Sequence, residues 1–213
     1  MEIPVLLETS EIIAVDKPVS ISVHNNEDPL NLLKLLKSRF GGELYPIHRL
    51  DKETSGIQLF AKSSEAAKNW SHEFQTKNVV KIYCGITKGI FQKTEGVWLD
   101  SLTDKSEGRK NPQGNPRDRI ACETRYRVLK NNRFFSFLEF NLITGRQHQI
   151  RKHSALQNHP LLGDPRYNDP KYNQKMANIY RTERMFLHCQ EIEIKNERII
   201  SSVPDIFHQI LKD

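Results

Sequence analysis

Apolar positions in the first third of the chain follow the period of a helix. In residues 29–40, PLNLLKLLKSRF, leucines recur at spacings of three and four, which is typical of an amphipathic helix. Asp28 supplies an acidic N-cap and Gly41 a glycine C-cap, so the pattern predicts a helix between them. Ser63 is the predicted N-cap of a second helix. The apolar stripe of this second helix consists of Ala67, Trp70 and Phe74.

The period changes to two in residues 79–86, VVKIYCGI, which predicts a strand. One face of this strand carries aliphatic side chains and cysteine, at Val80, Ile82, Cys84 and Ile86. Lys81 and Tyr83 point to the other face. A strand with one buried face is therefore expected, with Tyr83 directed away from the aliphatic side.

Later alternating segments occur in pairs. Residues 120–129 and 133–142 are separated by three polar residues and predict an antiparallel hairpin. Residues 186–194 and 198–203 predict a second strand pair. Several antiparallel strands with a few interposed helices favour the α+β class over a doubly wound parallel sheet.

Length and composition indicate an ordinary globular protein. The chain has 213 residues, which predicts a single domain over 1–213, and no apolar run approaches the roughly 20 residues of a membrane span. The N-terminus carries acids and not a basic leader, so we expect a cytoplasmic protein. Its three cysteines, Cys84, Cys122 and Cys189, lack CxxC spacing, which argues against a disulfide framework and a zinc site.

The formal charge of +6 is compatible with an acidic partner. Residues 105–119, KSEGRKNPQGNPRDR, contain five basic and two acidic residues and no apolar one. This composition predicts a flexible basic loop within 103–119. The loop is either a solvated linker or a segment that contacts phosphates.

A second polar segment, ITGRQHQIRKH, spans residues 143–153. A helix that begins near Arg146 would place Gln147 and Arg151 on one stripe and would present two guanidinium groups. A solvated basic helix is the alternative. His148 and His153 are five residues apart, on different helix faces, and no HExxH motif is present, so we expect no metal.

One acidic residue, Asp51, lies in IHRLDKETSGIQLFA, between basic residues and a small-residue turn. The chain has no GxSxG, GxxxxGK[ST] or GxGxxG motif, which removes the usual support for hydrolases, nucleotidases and dehydrogenases. A carboxylate nucleophile without a cofactor remains open, with Arg151 as the obvious partner that keeps Asp51 ionised. A solvated loop also remains open.

Five segments carry a resemblance to a known family. HRLDKETSGIQLFAK resembles the active-site motif of the RluA-type pseudouridine synthases, and KIYCGITKG resembles the tyrosine-bearing strand that follows it. LITGRQHQIRKHSALQNHPLLGDPRY is similar to the arginine motif of that family. RMFLHCQEIEI and DKPVSISVH resemble its closing strand and its early segment. The matches follow the order of the family from residue 16 to residue 194.

The resemblance implies isomerisation of uridine in ribosomal or transfer RNA to pseudouridine, without metal or organic cofactor. Asp51 would be the nucleophile, attacking either base or ribose, and Arg151 would pair with it. Tyr83 would stack on the extruded base and handle a proton. The expected RNA-binding residues are Arg49, which helps to fill the space left by the base, Leu187, which contacts the base, and His48, Thr54 and Arg146.

The resemblance also implies a mixed, mainly antiparallel sheet in two halves that flank a basic catalytic cleft. The chain begins almost at the catalytic domain, which leaves no room for the S4 domain that many relatives carry. We therefore expect a stand-alone, monomeric enzyme that recognises RNA through insertions such as 103–119 and 166–185. The rival hypothesis is a non-catalytic RNA-binding or RNA-folding protein of the same fold, although such a protein has no need of a nucleophile.

Overall fold

The structure, a computed structural model, describes residues 2–24, 30–76 and 78–212. The strands are β1 (Val5–Glu8), β2 (Ile12–Lys17), β3 (Tyr45–Pro46), β4 (Ser55–Ala61), β5 (Val79–Lys88), β6 (Glu95–Trp98), β7 (Thr124–Asn131), β8 (Phe135–Leu142), β9 (Leu187–Ile194) and β10 (Glu197–Ile200). The helices are α1 (Leu32–Phe40), α2 (Ser64–Gln75), α3 (Gln149–Leu156), α4 (Pro170–Tyr180) and α5 (Asp205–Ile210), with a short 3-10 helix at Pro116–Asp118.

The chain divides into two compact units. The first comprises Met1–Lys81 and Cys189–Ser202, and the second comprises Ile82–His188 and Val203–Asp213. The boundaries fall inside β5 and β9. Each unit contains one part of the sheet. A single domain over 1–213 stays a prediction.

In the first unit, the strand order is β1-β2-β4-β9, with β10 beside β9 and β3 beside β4. The pairs β1–β2, β2–β4, β3–β4 and β9–β10 are antiparallel. Strand β4 is buried along its whole length, because it lies inside the sheet. This strand follows directly after the loop that carries Asp51.

In the second unit, the strand order is β5-β8-β7-β6, and each of these pairs is antiparallel. A core cluster packs residues of β5 and β8 against α5 and the segment before β9. Its buried members are Cys84, Ile86, Phe135, Phe137, Leu162, Phe186, Phe207, Ile210 and Leu211. Helix α4 covers this cluster with half-buried Tyr172, Met176 and Tyr180. The α+β class with mainly antiparallel strands is confirmed.

Local sequence signals located several element ends. Gly41 ends α1 in the left-handed conformation, and the Ser63 hydroxyl accepts the Ala66 N–H at the start of α2. The two predicted strand pairs are present as β7–β8 and β9–β10. Helix α1, however, begins at Leu32 with Asn31 as its N-cap. The predicted N-cap Asp28 and the following Pro29 lie outside the described residues.

The prediction of one buried face for β5 was wrong. Val80 is exposed and Lys81 is buried, and from Tyr83 to Thr87 every residue is buried. When both faces of a strand are packed against other parts of the protein, burial no longer follows the alternation of hydrophobic and polar residues.

No helix among the described residues is long and apolar enough to cross a membrane.

Gly56, the second residue of β4, generates the first testable prediction. Its φ is 107°, and a Cβ there would overlap the Cys189 backbone of β9. Gly56→Ala should lower the free energy of unfolding by at least 1–3 kcal/mol from backbone strain alone, in order of magnitude. Gly42→Ala is the matched control, because an added Cβ at Gly42 meets nothing within 4 Å. Chemical denaturation curves that coincide for the two variants would contradict this account.

Candidate active site

Asp51 lies on a tight turn between the short β3 and β4. The Thr54 N–H donates to the Asp51 carbonyl oxygen at 3.1 Å and closes the turn. The Asp51 side chain is half-buried, while Thr54 is fully buried. The small residues Ser55 and Gly56, which we expected in the turn, are the first residues of β4. Asp51 therefore lies in the turn that leads directly into the buried strand β4.

Gln58 fixes the chain on the N-terminal side of Asp51. Its side chain is fully buried in β4. Its Oε1 accepts the Leu50 N–H at 3.1 Å, and its Nε2 donates to the His48 carbonyl at 2.6 Å. One carboxamide thus satisfies two backbone groups that would otherwise be buried without partners.

Lys17 fixes the chain on the C-terminal side of Asp51. Its side chain, at the end of β2, is 0% exposed. Its ammonium donates to the carbonyls of Pro18 at 2.9 Å, Ile21 at 2.9 Å and Lys52 at 3.1 Å. A buried ammonium is costly to leave without such partners, so the Lys52 carbonyl is held in place. Asp51 is flanked on both sides by anchored backbone.

His48 and Arg49 differ in their surroundings. The His48 ring stacks on the Phe74 ring, with 4.9 Å between the two ring centroids. The His48 Nε2 accepts the Leu59 N–H at 3.2 Å. Burial, with a smaller contribution from the charge of Lys81, lowers the pKa of His48 from 6.5 to about 3. The ring is therefore neutral at pH 7 and holds the loop against α2. Arg49 is exposed, as a residue that meets RNA requires.

In the second unit, Arg151 forms a buried ion pair that sequence reasoning missed. The Arg151 Nε and Nη2 donate to the two carboxylate oxygens of Asp164 at 2.8 and 2.9 Å. Arg151 is 1% exposed and Asp164 is 0% exposed. Asp164 Oδ1 also accepts the N–H groups of Arg166 and Tyr167. These additional bonds compensate for taking two charges out of water.

The Tyr167 ring adds a second contact to Arg151. The guanidinium carbon lies 5.5 Å from the ring centroid, within the range of a cation–π interaction. The Tyr167 hydroxyl is hydrogen-bonded to His148 Nδ1 at 3.1 Å. Asp164 and Tyr167 therefore hold one edge and one face of Arg151. A guanidinium has five N–H donors, so a further carboxylate can bind another edge.

The predicted helix start near Arg146 was wrong. Helix α3 begins at Gln149, and His148 before it has a left-handed conformation with φ 56°. The Gln149 side chain accepts the Arg146 N–H at 3.0 Å and donates to the Glu123 carbonyl at 2.9 Å. These contacts replace the helical bonds of the expected first turn. Gln147 therefore lies outside the helix and does not share a helical stripe with Arg151.

Arg146 lies in the half-buried segment before α3. Its Nη1 is 4.0 Å from the Asp104 carboxylate, and Asp104 also accepts the Gln147 N–H at 2.8 Å. Arg146 therefore lies close to Asp104, near the start of the basic 103–119 segment. A contact between Arg146 and RNA stays a prediction.

Tyr83 and Leu187 belong to strands of the second unit and are both buried. Tyr83 lies opposite Phe140 in the β5–β8 pair, and Tyr126 lies opposite Phe140 in the β7–β8 pair. Residues directly opposite each other share a face, so Tyr83, Phe140 and Tyr126 form a row of three aromatic residues across β5, β8 and β7. Its stacking on a base stays a prediction.

The histidines that suggested a metal have other roles. His153 is fully buried, with Nδ1 at 2.9 Å from the Thr124 hydroxyl and Nε2 at 2.9 Å from the Asp100 carbonyl. Burial lowers its pKa. His148 contacts Tyr167. In residues 2–24, 30–76 and 78–212, no three His, Cys, Asp or Glu side chains form a group that could hold a metal ion.

Sequence reasoning missed the three residues that hold the candidate catalytic groups. Lys17 and Gln58 anchor the Asp51 loop, and Asp164 anchors Arg151. All three lie within the quoted motif segments. The available signal was physical, because a buried arginine requires a carboxylate and GDPRY offers one.

Sequence comparison gives a consistent result. The family described as RNA pseudouridylate synthase matches residues 11–156. The tRNA pseudouridine synthase C of Pasteurella multocida is 32% identical over 173 residues, which cover 72% of this chain and 69% of that protein. The ribosomal large subunit pseudouridine synthase C of Rickettsia typhi is 35% identical over 161 residues, covering 71% of this chain and 52% of that protein.

Comparison with solved structures supports the fold. The structure of human RNA pseudouridylate synthase domain containing 4 superposes with a TM-score of 0.79. The alignment covers 98% of this chain and 92% of that chain, at 23% identity. Similarity at this level of identity shows a shared fold.

The Arg151–Asp164 pair predicts a large loss of stability when one partner is changed. Asp164→Asn removes the negative charge that Arg151 binds through two of its nitrogens, which should lower the free energy of unfolding by roughly 3–5 kcal/mol. The control is Asp118→Asn, because Asp118 pairs with Lys105 at the surface and its loss should leave the denaturation midpoint near that of the wild type. Replacing both Arg151 and Asp164 by Met and Leu should restore part of the loss. Wild-type stability in Asp164→Asn would contradict the account.

The lowered pKa of His48 predicts a pH dependence of stability. Above pH 6.5 the ring is neutral in both states, but below it the unfolded chain takes up a proton that the folded chain, with a pKa of about 3, does not. Stability should therefore fall as the pH falls from 6.5 toward 3. In His48→Gln, whose carboxamide can still accept a hydrogen bond, unfolding curves should show a weaker fall between about pH 6.5 and 5. An unchanged pH profile in this variant would be inconsistent with a neutral His48.

Proposed function

Because the chain belongs to the RNA pseudouridylate synthase family, it is an isomerase that acts on uridine in RNA, and we propose that Asp51 is its nucleophile. The observation that carries this proposal is the anchoring of the Asp51 turn by buried Gln58 and Lys17. A solvated loop gains nothing from two buried polar anchors. A nucleophile must be held within a fraction of an ångström of its productive position.

The reaction rearranges one nucleotide without adding or removing atoms overall. The bond between N1 and C1′ breaks, the base turns, and a bond between C5 and C1′ forms. The C5 proton is lost, and N1 gains a proton. In our proposal, Asp51 forms a transient covalent bond to base or ribose that keeps the separated fragment in the site, and this bond breaks again to free the Asp51 carboxylate before the product is released.

Arg151 is the proposed partner of Asp51. An arginine beside a carboxylate stabilises its charged, nucleophilic form. The bidentate contact with Asp164 supports this role, because a guanidinium held at one edge presents its other donors in a fixed direction.

Tyr83 and the exposed Arg49 are proposed to handle the base. The aromatic row that includes Tyr83 supports stacking on the extruded ring, since base–aromatic stacking contributes about 1–3 kcal/mol per base. Arg49, two residues before Asp51, would fill the place that the base leaves. Extrusion costs a few kcal/mol, so such compensation is expected. Thr54 would act through the turn, and Leu187 as an apolar contact.

The substrate is proposed to be transfer or ribosomal RNA, the two classes that the names of the relatives give. A cytoplasmic location and action as a monomer belong to the same proposal. The neutral, packed ring of His48 supports a role in shaping the loop more than a contact with phosphate.

Release of tritium from RNA that carries 5-tritiated uridine tests the proposal, because the C5 hydrogen is lost when the new bond forms. The wild-type protein should release tritium from transfer or ribosomal RNA. Asp51→Asn should bind the same RNA and release none, because an amide is not a nucleophile of comparable strength. Glu65→Gln, which removes an exposed charge from the same unit, is the control and should behave as the wild type.

Two results would contradict the proposal. Turnover by Asp51→Asn would exclude the nucleophile. RNA binding by the wild type without tritium release from either RNA pool would favour a non-catalytic RNA-binding protein.

A further inference from the structure

Two segments of the second unit contain the whole net charge of the chain. Residues 105–119 and 166–181 contain nine of the 32 basic residues and three of the 26 acidic residues. Their net charge is +6, equal to that of the entire protein. The rest of the chain has 23 basic and 23 acidic residues, which cancel. The positive charge is therefore concentrated and not spread over the surface.

The fold joins these two segments. Arg109 forms an ion pair with Asp169, the N-cap of α4, and Arg166 Nη1 donates to the Ser106 carbonyl at 3.3 Å. Both contacts connect residues about 60 positions apart in sequence. We call the joined segments 105–119 and 166–181 the basic surface.

The cations of the basic surface are accessible. Eight of the nine are exposed, and the ninth, Arg119, is half-buried and donates twice to the Gly114 carbonyl. The three acids are already engaged, Glu107 with the Thr103 hydroxyl, Asp118 with Lys105 and Asp169 with Arg109. Exposed pairs of this kind are weak and exchange readily for another anion.

Several cations remain available for a polyanion. Within the part of the chain that the structure describes, Lys110, Arg117, Lys171 and Lys175 form no ion pair. Lys171 and Lys175 are four residues apart in α4, on one face of the helix. Lysines and arginines in this arrangement suit an extended row of phosphates better than one small anion.

Hydrogen bonds hold the backbone at the start of the basic surface in a defined conformation. The buried ammonium of Lys152 donates to the carbonyls of Thr103 and Lys105, both at 2.8 Å. The Thr103 N–H donates to the Gln113 carbonyl at 3.1 Å. A loop held at several points loses less conformational entropy on binding than a free basic tail. Mobility of 103–119 stays a prediction. The residues that flank this segment, Leu102 and Ile120, are joined by two backbone hydrogen bonds, at 2.9 and 3.0 Å.

We propose that the basic surface binds the phosphate backbone of the substrate RNA. This inference rests on the proposed function for the identity of the polyanion. Phosphate contacts position a protein on nucleic acid without reading bases, so the surface would contribute to affinity and register.

The test variant replaces Lys110, Arg117, Lys171 and Lys175 by Gln. All four are exposed and form no ion pair with any residue that the structure describes, so the thermal unfolding midpoint should stay near that of the wild type. Binding of a labelled, single-stranded RNA of mixed sequence is measured as a function of salt. Each lost phosphate contact removes about 0.7 units from the slope of log affinity against log salt, so a loss of about 3 units is expected. The affinity at ~0.1 M salt should fall at least about tenfold.

The matched control replaces Lys68, Lys93, Lys130 and Lys212 by Gln. These residues are also exposed, lie outside the basic surface and change the net charge by the same amount. The control should keep the wild-type slope within about one unit. Equal effects of the two sets on the slope would show that only total charge matters and would overturn the proposal.

Two further measurements separate the possible failures. In the tritium assay, the loss in the test variant should fall on KM, with kcat at saturating RNA largely retained. The test variant could instead release tritium at the wild-type rate and keep the wild-type slope of log affinity against log salt. This result would overturn the proposed role of the basic surface and leave the proposed function intact. Binding to anionic phospholipid vesicles that the test variant loses, with RNA binding unaffected, would assign the surface to lipid and overturn the proposal.

Discussion

Two adjacent buried cations in α3 organise the second unit. Arg151 is bound by Asp164, and Lys152 is bound by the carbonyls of Thr103 and Lys105. Burial of these charges is tolerated only because each has well-placed partners. The Arg151 contact fixes the turn that leads into α4, and the Lys152 contact fixes the start of the basic segment 105–119. One turn of α3 therefore positions both Arg151, the candidate catalytic arginine, and the backbone at the start of the basic surface.

The first unit uses the same principle at the Asp51 turn. Gln58 and Lys17 satisfy backbone groups on both sides of Asp51 and are themselves fully buried. Gly56 lets its own strand, β4, approach the Cys189 backbone of β9 closely. At its φ of 107° a residue with a side chain would be strained and would overlap that backbone. A half-buried carboxylate on so constrained a turn is suited to chemistry, because little reorganisation remains to be done when the substrate binds.

Local signals predicted much of the fold. The β7–β8 hairpin, the β9–β10 pair, the Ser63 cap and the Gly41 cap follow from period and capping rules that involve only near neighbours. The start of α3 could not be predicted in this way, because the distant Glu123 and Thr124 bind the Gln149 side chain and leave His148 in a left-handed conformation. Burial of Lys81 and exposure of Val80 likewise depend on packing from other elements.

The candidate site was predictable in part. Motif similarity identified Asp51, Tyr83 and Arg151 as candidates, and their catalytic roles stay predictions. The residues that hold the Asp51 turn and Arg151 were missed, because the contacts of Lys17, Gln58 and Asp164 form only in the tertiary fold. Asp164 lies between a glycine and a proline, which resembles a surface turn. Only the tertiary fold shows that this turn is buried under Arg151 and Tyr167.

The most direct test of the central claim is a map of pseudouridine in the RNA of cells that lack this gene, with either the wild-type protein or Asp51→Asn returned to them. The account predicts at least one uridine in transfer or ribosomal RNA that is converted when the wild-type protein is present. The same position should stay uridine in the deletion strain and in the strain with Asp51→Asn. A map that is unchanged by deletion, or a position that Asp51→Asn restores, would contradict the account.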